Sequence, residues 1–459
     1  MKDKKAIRIR IANNRHEKEL RRKNKYYKDK ISRLRDFNGK TQNIAEMKHN
    51  LLSEDLKYIF NCKKANILQP SSSYFNVLKE AVTIEVPEPF SLVDNADKSY
   101  KFISDIINCL YHNRVRKLNI DYKNCKTIHL GAQIYLDILL RDMFKYSRQL
   151  HSKYPNFSHL ESVKPININN KNVRKLLYSI GSYAILKNEK VKYDDIIPYN
   201  LCEFKANPSP SAKMVNIETK ERHVTEMVEY VIESLGRMDK ILTSESIENL
   251  SIIIGEVLIN AEEHSTNNHR FSIGYFQDYS SNSEEYGIFN LVILNFGETI
   301  YDKFKDEDCA RPDIVRQMKA LSNDYTSKNL FGTQMKEETL WTLYALQEEV
   351  TSVSPKKNIK RGNGSIKFIE SFFNLKGNNE NQDKVSRLAL LSGNTSIVFD
   401  GTYGIKESEK GDEKFKVMTF NKSAAISDRP DTKYVKFVKN HFPGTIISAQ
   451  ILISKDDLL

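Results

Sequence analysis

The chain has 459 residues, a formal net charge of +12, and 40% apolar and 28% charged residues. That length accommodates two or three domains, and the composition is that of an ordinary globular protein rather than a fibrous or low-complexity one. No apolar run approaches the ~20 residues that span a bilayer, the basic N-terminus lacks the apolar segment of a secretory signal, and five scattered cysteines without a CxxC pair support neither a zinc ribbon nor a disulfide framework. No membrane association is expected, and a reducing cytoplasm is the expected compartment. The abundance of Lys, Asn and Ile suggests an AT-rich bacterial genome.

The positive charge is concentrated at one end. Residues 1–40 carry 16 Lys/Arg against five Asp/Glu, a net of +11, which leaves +1 for the rest. This arm, read as residues 1–60, is too polar to build a core. It is expected to be helical or partly disordered, and either to meet nucleic acid or an acidic partner through residues 1–40 or to stay solvated.

Residues 41–75 read as helical and then as loop, ending in "PSSS". Beyond them, "VTIEVPEP" (82–89) is a short strand stopped by prolines, and "SYKFISDIINCLYHN" (99–113) has helical spacing. "VRKLNIDYKN" (115–124) reads as a strand and "LGAQIYLDILLRDMFKYSRQL" (130–150) as a long amphipathic helix. "VRKLLYSIG" (173–181) is a shorter helix with Gly181 at its C-terminal cap. Strands alternating with helices predict a small βαβ domain over 61–204. The stretch "RKLNIDYKNCKTIHLGAQIYLDILL" resembles the STAS domains of sulfate transporters and anti-sigma antagonists. Antagonists of that family carry a phosphorylatable Ser in the turn that opens the helix. Here Leu130 and Gly131 stand in that turn, so the resemblance implies a scaffold or dimer contact without the switch.

"KANPSPSAK" (205–213) is a Pro/Ser linker and a predicted boundary. Two helical patterns follow, "RHVTEMVEYVIESL" (222–235) and "SIENLSIIIGEVLINAEEH" (246–264), the second with Ser246 as a candidate N-cap. Apolar residues 252–254 and 257–259 nearly encircle this second helix, which predicts a central position. Glu256, Asn260 and His264 fall at steps of four and form a slowly winding stripe. Burying Glu and Asn without partners is costly, so the stripe faces either water or a polar ligand.

Later segments bear on that choice. "GIFNLVILNFGETI" (287–300) is an apolar strand breaking at Asn295, Phe296 and Gly297. "IKRGNGSIKFIESFF" (359–373) is a basic glycine loop opening a helix, where backbone amides make an anion site. "FPGTIISAQILI" (442–453) is a final strand opening on Gly444 and Thr445.

In this order the four pieces resemble the ATP-binding domain of the GHKL superfamily, shared by gyrase, heat-shock chaperone, histidine kinase and MutL proteins. The resemblance covers residues 240–459. The family motif Glu-x-x-x-Asn-Ala-x-x-His/Lys is met by Glu256, Asn260, Ala261 and His264. Asp-x-Gly-x-Gly is met in part by "NFGET", the Gly-x-Gly loop by Gly362 and Gly364, and the closing Gly-Thr by Gly444 and Thr445. The implied fold is a C-terminal α/β sandwich over 214–459, a mixed sheet with a layer of helices and a long lid at 301–360. The lid contains the helical stretch "KEETLWTLYALQEEV" (336–350) and the only Trp. Residues 375–387 and 402–435 read as long polar insertions.

The resemblance implies ATP and Mg²⁺ as ligands. It makes Asn260 the metal ligand and Glu256 the catalytic group that polarises the attacking water. His264 stands either at a phosphate or as a helix cap. Lys360 and Arg361 are phosphate partners or members of a solvated loop. Asn295 replaces the family Asp that receives the adenine amino group, so its bond lacks charge assistance, worth ~1 kcal/mol, and a flipped amide donates instead to a guanine carbonyl. Thr299 replaces the second glycine. The expected function is a Mg²⁺-dependent ATPase switch whose lid closure controls a homodimer or a protein partner, in bacterial stress or phage defence. The alternatives are a protein kinase of the histidine or anti-sigma serine type, with His223 as the only candidate acceptor, and a non-hydrolysing nucleotide sensor.

Overall fold

Alternating strands and helices make the N-terminal unit, and antiparallel strands with helices make the rest. The structure, a computed structural model, describes residues 44–68, 79–112, 115–155, 160–182, 191–266, 268–280, 285–328, 335–348, 350, 364–376, 385–410 and 413–455. Residues 1–40, Lys360, Arg361 and Gly362 lie outside them.

Helices α1 (Ile44–Asn50) and α2 (Glu54–Asn61) come first, and the Ser53 hydroxyl caps α2 by accepting from the Leu56 amide. Then follow β1 (Lys79–Glu85), α3 (Ala96–Tyr111), β2 (Val115–Asp121), α4 (Leu130–Lys153), β3 (Ser162–Ile166) and α5 (Lys171–Ser179). The three strands form a parallel sheet in the order β1-β2-β3. The expected βαβ pattern is therefore present, and Gly181 ends α5 in the left-handed conformation at φ +65°, with the Ser182 amide reaching back to the Leu177 carbonyl. Residues 44–60 are not part of a polar arm as expected. Leu52, Leu56 and Ile59 are buried in the core of this unit.

The C-terminal part begins with β4 (Ile196–Lys205), followed by α6 (Lys213–Gly236), α7 (Ser244–Glu263), β5 (His269–Asp278) and β6 (Tyr286–Phe296). Helices α8 (Ile300–Lys305), α9 (Pro312–Lys328), α10 (Glu337–Tyr344) and α11 (Gly364–Lys376) come next. The strands β7 (Arg387–Phe399), β8 (Lys406–Lys410), β9 (Glu413–Val417) and β10 (Val435–Ser454) complete it. Five strands pair in the order β4-β5-β6-β10-β7, and β8 and β9 form a separate hairpin.

The structure departs from several expectations. The five-stranded sheet is antiparallel throughout rather than mixed. The predicted boundary at 204/214 falls inside the C-terminal part, because β4 pairs with β5 and residues 205–213 merely turn that edge strand into α6. Strand β10 starts at Val435 instead of 442, so Gly444 lies within the strand. Helix α10 ends at Tyr344 because the Gln347 side chain turns back to bind the Leu343 carbonyl and the Met418 backbone. Helices α8–α10 carry their own small core of Phe304, Ile314, Met318, Tyr325, Leu340, Trp341 and Tyr344.

Helix α4 explains how the two parts join. It is buried continuously from Leu130 to Met143, so it is covered on all sides instead of being amphipathic. Its opening turn lies on β10, and a Cβ added at Gly131 would stand 3.2 Å from Ile446 Cδ1. One core thus runs from Leu136, Ile138 and Leu140 to Phe271, Val292, Leu294, Phe296, Phe442 and Ile446 of the five-stranded sheet. The polar groups inside this helix are satisfied in part: Asp137 accepts from Gln133 and Ser182, whereas Gln133 Oε1 and Tyr146 Oη have no hydrogen-bond partner among the described residues. Arg141 reaches Glu203 on β4, and Glu203 also meets His269, which pairs with Asp55 of α2 at 2.8 Å.

Candidate functional site

The opposite face of the sheet carries α7, flanked by α6 and α11. Alternation along the strands sorts the side chains cleanly. In β6, Val292, Leu294 and Phe296 point into the α4 core, whereas Phe289, Leu291, Ile293 and Asn295 point toward the α7 layer. In β10, Ile446 belongs to the α4 side, and Ala449, Ile451 and Ile453 to the α7 side, which places Thr445 on the α7 side.

At one end of that face the side chains change from apolar to polar. Arg270 is paired across the strands with Asn295, Asn295 with Thr445, and Thr445 with Ser392. The four form a row across β5, β6, β10 and β7. The next row inward, Ser272, Ile293, Ile447 and Leu390, is mainly apolar. Ser392 and Thr445 hydroxyls lie 2.9 Å apart, and the Ser392 oxygen also accepts from the Ile300 amide at 2.9 Å. Asn295 is 2% exposed, and its Nδ2 has no hydrogen-bond partner among the described residues. Arg270 is 1% exposed, and its Nε and Nη1 are likewise unpartnered there. Its guanidinium lies over the Phe204 ring at 5.1 Å, and burial presses its pKa below the ordinary arginine value.

Helix α7 starts earlier than expected. Thr243, not Ser246, is the N-cap, its hydroxyl accepting from the Ser246 amide at 3.2 Å. Ile254, Val257 and Leu258 are buried, but Ile252 and Ile259 are 48% and 41% exposed. The helix is therefore a surface layer on the sheet and not a central element. Glu256, Asn260 and His264 are each half-buried along it.

Glycine geometry joins the end of α7 to the end of β6. Gly297 follows β6 at φ +155°, and a Cβ there would stand 2.5 Å from the His264 carbonyl oxygen and 2.8 Å from the Ser265 Cα. The Thr266 amide then bonds the Phe296 carbonyl at 2.9 Å. Gly444, at φ +145°, lets β10 approach β6 so closely that a Cβ would lie 2.1 Å from the Asn295 carbonyl oxygen. Both glycines thus hold backbone together. His264 occupies the C-cap position of α7, its amide bonding the Asn260 carbonyl. Burial, assisted by Lys303, lowers its pKa to about 4, so its ring is neutral at pH 7. Thr299 replaces glycine flexibility with a capping box: it accepts from the Asp302 amide and starts α8.

Sequence reasoning missed Arg270, Ser392 and Tyr58. The Tyr58 hydroxyl donates to the Gly297 carbonyl at 2.6 Å and ties α2 to the turn after β6. For Arg270 the visible signal was an Arg in the second position of the apolar strand "HRFSIGYFQD". Gly364 is the first residue of α11. His223 lies on α6 at 4% exposure, packed edge-on against Phe204.

No protein family, curated protein or solved structure matches the chain. Among the described residues, no helix is long and apolar enough to cross a membrane.

Proposed function

We propose that the protein is a Mg²⁺-dependent ATPase switch of the GHKL type. The observation that carries this reading is the polar row Arg270–Asn295–Thr445–Ser392, set into an otherwise apolar sheet face on the side covered by α7. A buried amide without a partner is expensive in a core that serves only folding. A bound base satisfies it.

In this reading Asn295 and Thr445 receive the base. Asn260 offers an amide oxygen of the kind Mg²⁺ accepts alongside retained waters. Bound there with phosphates, the ion supplies charge neutralisation. Glu256, one turn earlier, orients the attacking water and takes its proton. His264, neutral and capping, shapes the end of the helix without adding charge. Lys360, Arg361, Gly362 and Gly364 hold the phosphates in the same scheme. Lid closure through α8–α10 then governs a homodimer or protein contact. The kinase alternative loses support because its candidate acceptor, His223, is buried.

A binding and turnover assay with ATP, GTP and Mg²⁺ tests the proposal. Wild-type protein is expected to bind ATP with Mg²⁺ and to release phosphate, and Asn260→Ala to lose the Mg²⁺-dependent part of binding. A folded wild-type protein that binds neither nucleotide sinks it, and binding without phosphate release moves it to the sensor class.

A further inference from the structure

We infer that Cys202, His223 and Glu226 form a binding site for a zinc-class divalent cation, separate from the nucleotide site. Ligand atoms of the three side chains lie within 4.8 Å of one another. The Cys202 thiol donates to the Glu226 carboxylate at 3.3 Å. Zn–S, Zn–N and Zn–O lengths of about 2.0–2.3 Å at tetrahedral angles put neighbouring ligand atoms about 3.5 Å apart. The existing separation is therefore that of two ligands whose shared proton is exchanged for a metal.

The chain is built to bring these residues together. His223 and Glu226 are three residues apart on α6 and share one face. Cys202 reaches that face through a bulge. Ile197 and Tyr199 point toward the α6–α7 layer, so regular alternation would send residue 201 there next and Cys202 away from it. The register of β4 against β5 shifts between Tyr199 and Cys202, and Cys202 turns to the helices instead.

An independent observation points to a ligand. His223 is 4% exposed, and its Nδ1 has no hydrogen-bond partner among the described residues. A buried imidazole nitrogen without a partner is costly, and a metal satisfies it. Burial, with help from Arg270, lowers the His223 pKa, which keeps the ring in the neutral form that ligates. Burial raises the Cys202 pKa, while the Arg270 guanidinium acts in the other direction and favours thiolate. Thiolate and carboxylate together neutralise the ion, and Glu226 is half-exposed, so a water completes the fourth position. The mixture of sulfur, nitrogen and a single carboxylate suits Zn²⁺ and not Mg²⁺. Bound metal staples the edge strand β4 to α6.

Titration of the chelator-treated full chain with Co²⁺ in the absence of nucleotide tests this. The expected result is a near-ultraviolet thiolate-to-cobalt charge-transfer band that saturates stoichiometrically and disappears when Zn²⁺ is added. Cys202→Ser should abolish the band although four cysteines remain. Glu226→Gln, at a half-exposed position that tolerates change, should weaken the titration by about tenfold or more. Absence of the band in wild-type protein with native circular dichroism overturns the proposal, as does an undiminished band in Cys202→Ser. Neither outcome depends on whether the protein binds ATP.

Discussion

The two faces of the five-stranded sheet are made from the same strands and differ in almost everything else. The face under α4 presents Phe271, Ile273, Tyr275, Val292, Leu294, Phe296, Leu391, Phe442 and Ile446, all buried in one apolar core. The face under α7 starts the same way with Phe289, Leu291 and Ile293 but ends in Arg270, Asn295, Thr445 and Ser392. Among the described residues, unpartnered buried atoms occur under both faces: Gln133 Oε1 and Tyr146 Oη of α4 on the first, Arg270 Nε and Nη1 and Asn295 Nδ2 on the second. What sets the second face apart is that its unpartnered atoms stand on paired positions of neighbouring strands, at the end where the row turns polar, the pattern expected if that end takes a ligand.

The sharpest way to break this comparison is at the α7 stripe. If the second face is a hydrolytic site, Glu256→Ala should lower phosphate release by ~10²–10⁴-fold, the usual worth of a positioned acid–base group. ATP binding should change only severalfold. Wild-type phosphate release from Glu256→Ala removes Glu256 from the chemistry.

A matched pair of substitutions compares the faces directly. Phe296 packs among Phe271, Phe442 and Tyr135 with ring centroids 5.9–6.0 Å away, so Phe296→Ala should cost ~3–5 kcal/mol in denaturant unfolding. Thr445→Val keeps the volume and loses the bond to Ser392, a cost of ~1 kcal/mol, but should weaken nucleotide binding markedly. Equal stability losses with unaltered binding would mean that both faces are merely core.

What the sequence reveals follows the same division. Periodicity located β2, α3, α4 and α5 because local apolar spacing determines them. The Glu256–Asn260–His264 stripe was visible because three polar residues interrupt an apolar run. The membership of β4 was not visible: its partner β5 lies some 65 residues later, and the intervening "NPSPS" carries every local mark of a domain boundary. Burial of α4 on all sides was equally hidden, since it depends on a sheet formed by residues 196–205 and 269–454. The row Arg270–Asn295–Thr445–Ser392 exists only through register, which no single strand encodes.

The joint between the two parts gives a pH prediction. Burial by itself would lower the His269 pKa, but hydrogen bonds to Asp55 and Glu203 override it and raise the pKa. A raised folded-state pKa means this contribution is fully present below the unfolded value of about 6.5 and is lost as pH climbs through the folded one. Glu203 behaves oppositely. Against burial, His269 and Arg141 hold its pKa down at about 2. Its contribution is present above the unfolded value of about 4.3 and fades as pH falls through about 2. Both are complete between about pH 4.5 and 6.5. The stability difference between wild type and His269→Gln should therefore be largest in that window and shrink toward pH 8. A difference independent of pH would show that His269 packs without its charge.

The smallest expected effect tests what the polar row recognises. Asn295 offers a neutral acceptor, or an amide donor if reversed, where charge assistance would make a bond to an adenine amino group stronger by ~1 kcal/mol. Asn295→Asp supplies that charge without changing the side-chain volume. It also removes the unpartnered Nδ2. The new carboxylate would be nearly fully buried, but Arg270 stands directly across the strand pair with two nitrogens unpartnered among the described residues, so a counter-charge is at hand. Two outcomes are then distinguishable by measuring unfolding and nucleotide binding on the same sample. If Asn295 reads the base, ATP should tighten relative to GTP by about fivefold, the equivalent of ~1 kcal/mol, because a carboxylate cannot donate to a guanine carbonyl. If the carboxylate instead closes on Arg270, stability should rise while the ATP/GTP ratio stays unchanged. That second result would assign Asn295 a structural role.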